Sequence, residues 1–354
     1  MKINNKYSEI FVFRIARIDD QENIMSFIRR YWKNDHILGI DKAFFKYEHG
    51  GSNNTLNFIL GINRKTSEIQ SVQGFIPYSS KTENLHICGV ISLTHPNNTV
   101  PLLGLETMKR MLHILQPVTY CGIGTNPITM LPLVQKFLKR HVGIMSHYYK
   151  LNHNIKDFKV AVPDLSKNLK NFSQNNVSKT LEYEKIENFS DLKNELITIN
   201  QNPNLPHKSC EYVERRYLKN PIFEYQIYKI SGEYNVTKAI VFAREVFCNG
   251  RYILHWVDYI GETEFIKKLS SFFNELIKKN NYEYIDCLCN GIEDSIFKQI
   301  GFNKKDHEGK VIIPSYFEPF YQRNIKIHFE KSHIDQILFK GDADADRPNS
   351  IRAI

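Results

Sequence analysis

The strongest constraint on the fold is an order of strands and helices that occurs twice along the 354-residue chain. In the first half, runs rich in apolar and β-branched residues predict strands at 10–18, 56–63, 69–77, 85–94, 118–123 and 143–150. Apolar residues at helical spacing predict helices near 21–32, 105–115 and 129–139. The second half repeats this order, with strands at 181–186, 223–230, 237–247, 252–260 and 284–289 and helices at 191–199, 265–276 and 293–300. The repetition predicts an α/β fold with mixed sheets (α+β) in two similar domains.

A polar, irregular stretch separates the two halves. It contains Pro163 and the run Ser173-Gln174-Asn175-Asn176, which is typical of an inter-domain connection. The predicted domains are therefore 1–160 and 181–354, with a linker at 161–180.

Charge and cysteine usage limit the classes of partner. The net charge of +9 is spread over scattered lysines without a dense basic run, which favours an anionic small molecule over nucleic acid. None of the six cysteines forms a CxxC pair, and no His/Cys cluster has zinc spacing, so we expect a reducing compartment and no metal. The first residues carry no signal-peptide core and no apolar run is long enough to cross a membrane, which predicts a cytoplasmic protein.

The stretch 100–107, Val-Pro-Leu-Leu-Gly-Leu-Glu-Thr, joins a predicted strand to a predicted helix. The free N–H groups and positive dipole end of a helix N-terminus suit a phosphate or pyrophosphate. Gly104 would let the backbone approach such a ligand closely. The alternative is a plain strand-to-helix turn in which the glycine is a steric convenience.

This order of elements, with a glycine loop between the fourth strand and a long helix, resembles the GNAT acyltransferase fold in two tandem copies. In that family the loop binds the pyrophosphate of coenzyme A, and the splayed fourth and fifth strands admit the pantetheine arm. Gly104 matches the loop motif, Val100 stands where Gln or Arg is usual, and Glu106 replaces the last small residue. The resemblance implies acyl-CoA as co-substrate, with these binding residues: Leu93, Thr94, Leu102, Leu103, Gly104, Leu105 and Asn126. The second copy has only Gly261-Glu262-Thr263 at the equivalent place, so its coenzyme site is expected to be lost and its role to be acceptor binding.

Two later stretches, 313–320 (Ile-Pro-Ser-Tyr-Phe-Glu-Pro-Phe) and 339–349 (Phe-Lys-Gly-Asp-Ala-Asp-Ala-Asp-Arg-Pro-Asn), resemble the C-terminal signature of tandem-GNAT sugar N-acyltransferases of the FdhC type. The resemblance implies transfer of an acetyl or 3-hydroxybutanoyl group to the amine of a dTDP-linked amino-dideoxy sugar, for O-antigen or capsule biosynthesis. Two alternatives stay open for the second stretch. A solvated tail is one, and a calcium loop is the other, although Arg347 and Ala353 stand where an EF-hand needs Gly and Glu.

Substrate contacts and a catalytic base are predicted from polar and aromatic residues near apolar runs, and the resemblance of the two later stretches implies further substrate contacts within them. The predicted acceptor-binding residues are Trp32, Asn34, Lys208, Arg215, Tyr217, Trp256, Tyr316, Lys340, Asp346 and Arg347. The candidate bases are His36, His95 and Asp258, with His36 favoured because it lies near Trp32 and Asn34. Catalysis by positioning alone, with backbone N–H groups of 92–95 as oxyanion donors, is the alternative.

Two other functions have the same architecture. An aminoacyl transferase of the FemX type would need a long heptad insertion for its coiled-coil arm, and the sequence has none. A degenerate, non-catalytic GNAT pair that only binds nucleotide or protein stays open. Expected partners are thus acyl-CoA and a nucleotide-diphosphate amino sugar, without nucleic acid, and a homodimer is an open alternative.

Overall fold

The computed structural model describes residues 5–79, 84–164, 181–199 and 206–349. Its α-helices are α1 (Asn5–Ile10), α2 (Gln21–Tyr31), α3 (Ile37–Ile40), α4 (Lys42–His49), α5 (Leu103–Leu115), α6 (Leu131–Leu138), α7 (Ser190–Ile199), α8 (Cys210–Val213), α9 (Ser270–Lys279) and α10 (Asp294–Gln299). Its strands are β1 (Phe11–Arg17), β2 (Thr55–Asn63), β3 (Ile69–Pro77), β4 (His86–Thr94), β5 (Thr119–Ile123), β6 (His141–Ile144), β7 (Ser146–Leu151), β8 (Glu182–Ile186), β9 (Gln226–Ser231), β10 (Thr237–Cys248), β11 (Arg251–Gly261), β12 (Tyr284–Asn290), β13 (Asn303–Lys304), β14 (His328–Lys331) and β15 (Leu338–Phe339).

The described residues form two compact units. The first unit takes its residues from 1–143, 328–333 and 343–354, and the second from 144–327 and 334–342. These units divide the chain at other points than the predicted domains, because the chain re-enters the first unit twice after residue 327. Most of the predicted linker, residues 165–180, lies outside the described residues.

The first unit is built on a sheet with the strand order β1-β2-β3-β4-β5-β14-β6. β4 and β5 run parallel, whereas β3 is antiparallel to β4 and β14 is antiparallel to β5. One face of this sheet packs against α5 and α6 through an apolar core that includes Ile87, Met108, Met111, Tyr120 and Val134. The apolar stripe of α5 is therefore buried as its helical spacing predicts.

The second unit has a sheet with the order β13-β7-β12-β11-β10-β9-β8, and β15 pairs with β12 beside it. β11 and β12 run parallel, and β10 and β7 are antiparallel to them. Its core is aromatic and includes Trp256, Phe272, Phe273, Phe297 and Phe302. The prediction of an α/β fold with mixed sheets is confirmed.

The sequence pattern missed helix α4 and strands β14 and β15. Asp41 begins α4 as an N-cap, since its carboxylate accepts a hydrogen bond of 2.9 Å from the N–H of Phe44. β14 and β15 have four and two residues. Strands this short contain two periods of alternation or one, so pattern reading has little to detect.

Candidate functional site

The parallel strands β4 and β5 of the first sheet are paired over only part of their length. They are paired only from His86 to Gly89 on β4 and from Thr119 to Gly122 on β5. Between Gly89 and Ser92, β4 has one residue more than its partner β3, which is a β-bulge. A bulge bends the strand and increases its twist, so β4 swings away from β5 at this point. From Val90 onward, the edge of β4 that faces β5 has no registered strand partner within the described residues. We refer to the space beyond Gly89 and Gly122 as the β4–β5 gap.

The N-terminus of α5 follows β4 and contacts its end. Leu102 has a left-handed backbone, with φ of 56°, and the first helical hydrogen bond runs 3.0 Å from the N–H of Glu106 to the carbonyl of Leu102. A Cβ added to Gly104 would lie 2.9 Å from Oγ1 of Thr94, so the glycine keeps this corner open. The first N–H groups of a helix have no intrahelical partner, and they carry the positive end of the dipole. The corner therefore suits an anionic group.

Glu106 does not leave a free negative charge at this corner. Its carboxylate accepts a 2.9 Å hydrogen bond from the guanidinium of Arg110, one turn further along α5, and it is almost fully buried. The pair neutralises the charge, so an acidic residue in the first turn is compatible with a phosphate nearby.

The other predicted coenzyme residues divide into two groups. Leu93 and Thr94 lie on β4 beside the gap, and Leu102 is exposed at the start of α5. Leu103 and Leu105 are buried in the core of the first unit. Asn126 is exposed and forms the turn before α6, where its side-chain oxygen accepts hydrogen bonds from the N–H groups of Ile128 and Thr129. Its contacts are those of a turn residue.

His36 is a helix cap in the first unit. Its Nδ1 accepts a 3.2 Å hydrogen bond from the N–H of Leu38 at the start of α3, and its ring centroid lies 4.4 Å from that of the tilted Trp32 ring. Its Nε2 is buried and has no hydrogen-bond partner within the described residues. Burial lowers the pKa of His36 to about 2, with further lowering by the charges of Arg347 and Lys33. Such an imidazole binds a proton too weakly to serve as an efficient base near neutral pH.

His95 directly follows β4 and is half-buried. Its ring lies 4.4 Å from that of Tyr31, and its Nδ1 accepts a 3.1 Å hydrogen bond from the N–H of Asn97. Trp32 and Asn34 are exposed, and they lie in the short segment that connects the end of α2 to His36. Of the three candidate bases, His95 is the one that the structure places next to the β4–β5 gap.

Asp258 lies in a buried ion cluster of the second unit. It accepts hydrogen bonds from Nζ of Lys208 at 2.5 Å, the hydroxyl of Tyr217 at 2.7 Å and the N–H of Tyr259 at 2.8 Å. Lys208 also pairs with Asp342 at 2.7 Å. Burial raises the pKa of Asp342 to about 6, as does the charge of Asp258, while Lys208 lowers it. Donors from the same unit occupy both oxygens of the carboxylate, so this arrangement argues for a structural role of Asp258.

The remaining predicted acceptor residues also make contacts within their own unit. In the second unit, Trp256 is a core residue whose indole N–H donates 2.9 Å to the carbonyl of Asp258, and buried Lys340 donates 2.7 Å to the carbonyl of Ser315. Arg215, on the π-helical turn that continues α8, and Tyr316 are half-buried.

In the first unit, Arg347 lies 3.2 Å from the carboxylate of Asp344 and 3.7 Å from that of Glu48. Asp346 is buried nearby in the sequence. The stretch 343–349 is thus packed against this unit and is not a solvated tail.

The gap between β11 and β12 in the second unit is filled by the chain itself. These strands pair only over Leu254–Trp256 and Ile285–Cys287. Residues 338–341 then enter beside them: Phe339 and Leu338 pair with β12, the N–H of Lys340 donates 2.9 Å to Leu288, and the N–H of Gly341 donates 2.6 Å to Val257. This supports the prediction that the second copy lacks a coenzyme site.

Sequence reasoning missed Glu330 and Tyr120, which meet at the root of the β4–β5 gap. The Tyr120 hydroxyl lies 3.5 Å from Oε1 of Glu330, although the two residues are 210 positions apart. Only the insertion of β14 beside β5 brings them together. No spacing or motif in the chain signals that pairing.

No protein-family model matches the chain, and no curated protein matches it in sequence. Solved structures match in fold. A protein of unknown function from Enterococcus faecalis V583, described as a probable N-acyltransferase, is 7% identical, with a TM-score of 0.53 over 90% of this chain and 72% of that one. N-myristoyltransferase of Saccharomyces cerevisiae with bound myristoyl-CoA is 11% identical, with a TM-score of 0.47 over 91% and 82% of the two chains. The Enterococcus match and the two mixed sheets confirm a tandem GNAT-like fold.

The described residues include neither a membrane-spanning helix nor a metal-binding group. None of their helices is long and apolar enough to cross a membrane. No group of three or more His, Cys, Asp or Glu side chains among them is placed to hold a metal ion.

Proposed function

We propose that this chain is an acyl-CoA-dependent N-acyltransferase and that its first unit binds the acyl-CoA. The observation that carries the proposal is the β4–β5 gap, which opens beside the glycine-containing N-terminus of α5. The unpaired edge of β4 offers backbone donors and acceptors to an extended arm that contains amides, as another strand would. The α5 N-terminus offers N–H groups to a pyrophosphate at the end of that arm. Leu93, Thr94, Leu102 and Gly104 are the predicted residues that line this path.

The acceptor in this proposal is the amine of a dTDP-linked amino-dideoxy sugar, such as a 3-amino-3,6-dideoxyhexose, in O-antigen or capsule biosynthesis. Its support is the sequence resemblance of 313–320 and 339–349, together with the excess positive charge of the chain. We assign acceptor binding mainly to the second unit, because its own strand gap is filled by residues 338–341. Acetyl and 3-hydroxybutanoyl groups are both open as the group transferred.

Catalysis in this proposal rests first on positioning. The attacking amine must be neutral, and a sugar amine beside electron-withdrawing oxygens is less basic than a lysine amine. We assign stabilisation of the oxyanion, often the largest single catalytic contribution, to backbone N–H groups of 92–94 on β4. The N–H of His95 is not among them, because it donates a 2.8 Å hydrogen bond to the carbonyl of Gln70. His95 is the remaining predicted base beside the gap, because burial lowers the pKa of His36 to about 2 and Asp258 belongs to the ion cluster of the second unit.

Calorimetric titration of the full chain with coenzyme A and, separately, with dTDP tests the proposal. We expect both ligands to bind. Binding of neither contradicts an enzyme of this class and favours the non-catalytic alternative, whereas binding of coenzyme A alone removes the nucleotide-sugar assignment. A mass-spectrometric screen of acyl-CoAs against amino-sugar nucleotides then identifies the acyl group and the acceptor.

A further inference from the structure

Glu330 lies on the row of residues at which β4 and β5 part. It is paired with Gly122 on β5, and Gly122 is paired with Gly89 on β4, the last registered pair before the gap. Side chains on one row of a sheet point to the same face. Because Gly89 and Gly122 have no side chains, the space above them is taken by the Tyr120 hydroxyl and the Glu330 carboxyl. A Cβ on Gly89 would collide with that hydroxyl, and a Cβ on Gly122 would lie 3.3 Å from Oε1 of Glu330.

The Glu330 carboxyl is buried but only partly satisfied. Oε1 is 3.5 Å from the donating hydroxyl of Tyr120, whereas Oε2 is buried without a hydrogen-bond partner within the described residues. Arg140 stacks over the Tyr120 ring at 4.7 Å, and its Nε is likewise buried without a partner there. An unsatisfied carboxylate oxygen is costly in a protein interior, so its presence at the root of a gap points to a ligand or a reacting group.

Burial raises the pKa of Glu330 to about 7, while the charge of Arg140 and the hydrogen bond from Tyr120 lower it. Among the residues that the structure describes, Arg140 and Tyr120 are the charged or titratable groups that act on the carboxyl, and the thiols of Cys88 and Cys121 lie close to Tyr120. The carboxyl therefore changes protonation near neutral pH. A group of this kind can both accept and donate a proton under working conditions.

We propose that Glu330 is a catalytic residue that carries the proton of the transfer from the acceptor nitrogen to the departing sulfur. This inference rests on the proposed N-acyltransferase function. As the new C–N bond forms and the thioester C–S bond breaks, the nitrogen loses one proton to the free Oε2 of Glu330. That proton ends on the sulfur, so the products are an amide and a neutral thiol, and the carboxylate is regenerated. Tyr120 donates a long hydrogen bond of 3.5 Å to Oε1 and leaves Oε2 for the proton.

Proton linkage to coenzyme binding tests this without any acceptor. Coenzyme A is titrated calorimetrically at pH 7 in two buffers of different ionisation enthalpy, with wild-type protein and with Glu330→Gln. The phosphates of the bound coenzyme bring negative charge into the same unit and its arm displaces water from the gap, and both effects raise the pKa of the carboxyl, so wild type takes up a fraction of a proton. The Glu330→Gln variant should lack this fractional proton uptake, and its Kd for coenzyme A should lie within about threefold of the wild-type value. The phosphates and thiol of coenzyme A titrate equally in both proteins and cancel in the comparison.

Tyr120→Phe is the second variant, and it guards against a Gln variant that does not fold. It removes the hydrogen bond that lowers the pKa of Glu330, so the proton uptake moves to higher pH. Where an acyl group and an acceptor have been identified, Glu330→Gln slows acyl transfer by about a hundredfold or more, and Glu330→Asp recovers part of the rate. Absence of coenzyme binding by wild type overturns the proposed function, and Glu330's role with it. Normal binding with the same proton uptake in wild type and Glu330→Gln overturns the role of Glu330 alone.

Discussion

The β4–β5 gap and the gap between β11 and β12 begin in the same way and end differently. β4 has a β-bulge immediately after its last pair with β5, beyond Gly89. β11 likewise has a bulge immediately after its last pair with β12, at Val257. The row at this point contains Gly89, Gly122 and Glu330 in the first unit. In the second unit the corresponding row contains Trp256, Cys287 and Tyr148.

This difference shows how one backbone plan serves two purposes. Trp256 is fully buried and packs against Phe273 and Phe297, so the second row stabilises the core. The first row has two residues without side chains and one carboxyl with an unsatisfied oxygen, which contributes little packing and costs stability. When only one of two equivalent rows has a destabilising arrangement, that row is often part of a functional site.

The largest expected effect is at the cluster that holds residues 338–342 in the second gap. Lys208→Met leaves Asp258 and Asp342 buried without their cation, and we expect a loss of about 3–5 kcal/mol in the free energy of unfolding at pH 7. Denaturant unfolding measures it, with Lys219→Met as the matched control. Lys219 forms an exposed pair with Glu214, so its loss should cost less than about 1 kcal/mol. A folded Lys208→Met protein should keep its affinity for coenzyme A, and a large loss of that affinity would break the comparison.

Glu330→Gln should stabilise the protein at alkaline pH. The pKa of Glu330 is raised from 4.5 to about 7 in the folded state, so the folded protein binds more protons than the unfolded chain between these values. Its contribution to stability is complete below pH 4.5 and is lost as the pH rises through 7. The glutamine variant lacks this loss, and we expect it to exceed wild type by up to about 3 kcal/mol at pH 8 and to equal it near pH 4.5. Parallel stability curves for the two proteins would show that the carboxyl is not held in its raised state.

Valine substitutions at the two helix starts test which gap takes the coenzyme. Gly104→Val places a branched side chain against Thr94 at the start of α5, and we expect the Kd for coenzyme A to rise at least about a hundredfold, or about 2.7 kcal/mol. Ser270→Val is the control, because it puts the same side chain at the first residue of α9 in the second unit, and it should alter the Kd by less than about twofold. Circular dichroism checks that both proteins are folded. Equal affinities of a folded Gly104→Val protein and wild type would remove the coenzyme site from the first gap.

The sequence predicted those parts of the site that are local along the chain. The strand, the turn and the helix around Gly104 are contiguous, so periodicity and turn chemistry were sufficient to place them. Asp258 was identified as a carboxylate among apolar neighbours, but its partner Lys208 is distant in sequence. Lys208 also pairs with Asp342, and these contacts make Asp258 a residue of a buried ion cluster. Glu330 was missed for the same reason, since its role depends on strand order and not on local pattern. The bulges that open both gaps also depend on strand register, which the sequence does not state.

The smallest effect is expected for His36, the base that the sequence favoured. Its pKa of about 2 keeps the imidazole neutral throughout the working range, so His36→Ala should leave the acidic limb of the pH–rate profile in place and change kcat by less than about threefold. The variant loses the acceptor that caps α3, and we expect about 1 kcal/mol less unfolding free energy. His95→Ala is the comparison, because His95 lies at the open end of β4. A hundredfold loss with disappearance of the acidic limb in His36→Ala would restore His36 as the base. The same result in His95→Ala would show that His95, at the open end of β4, and not Glu330 takes the proton from the acceptor nitrogen.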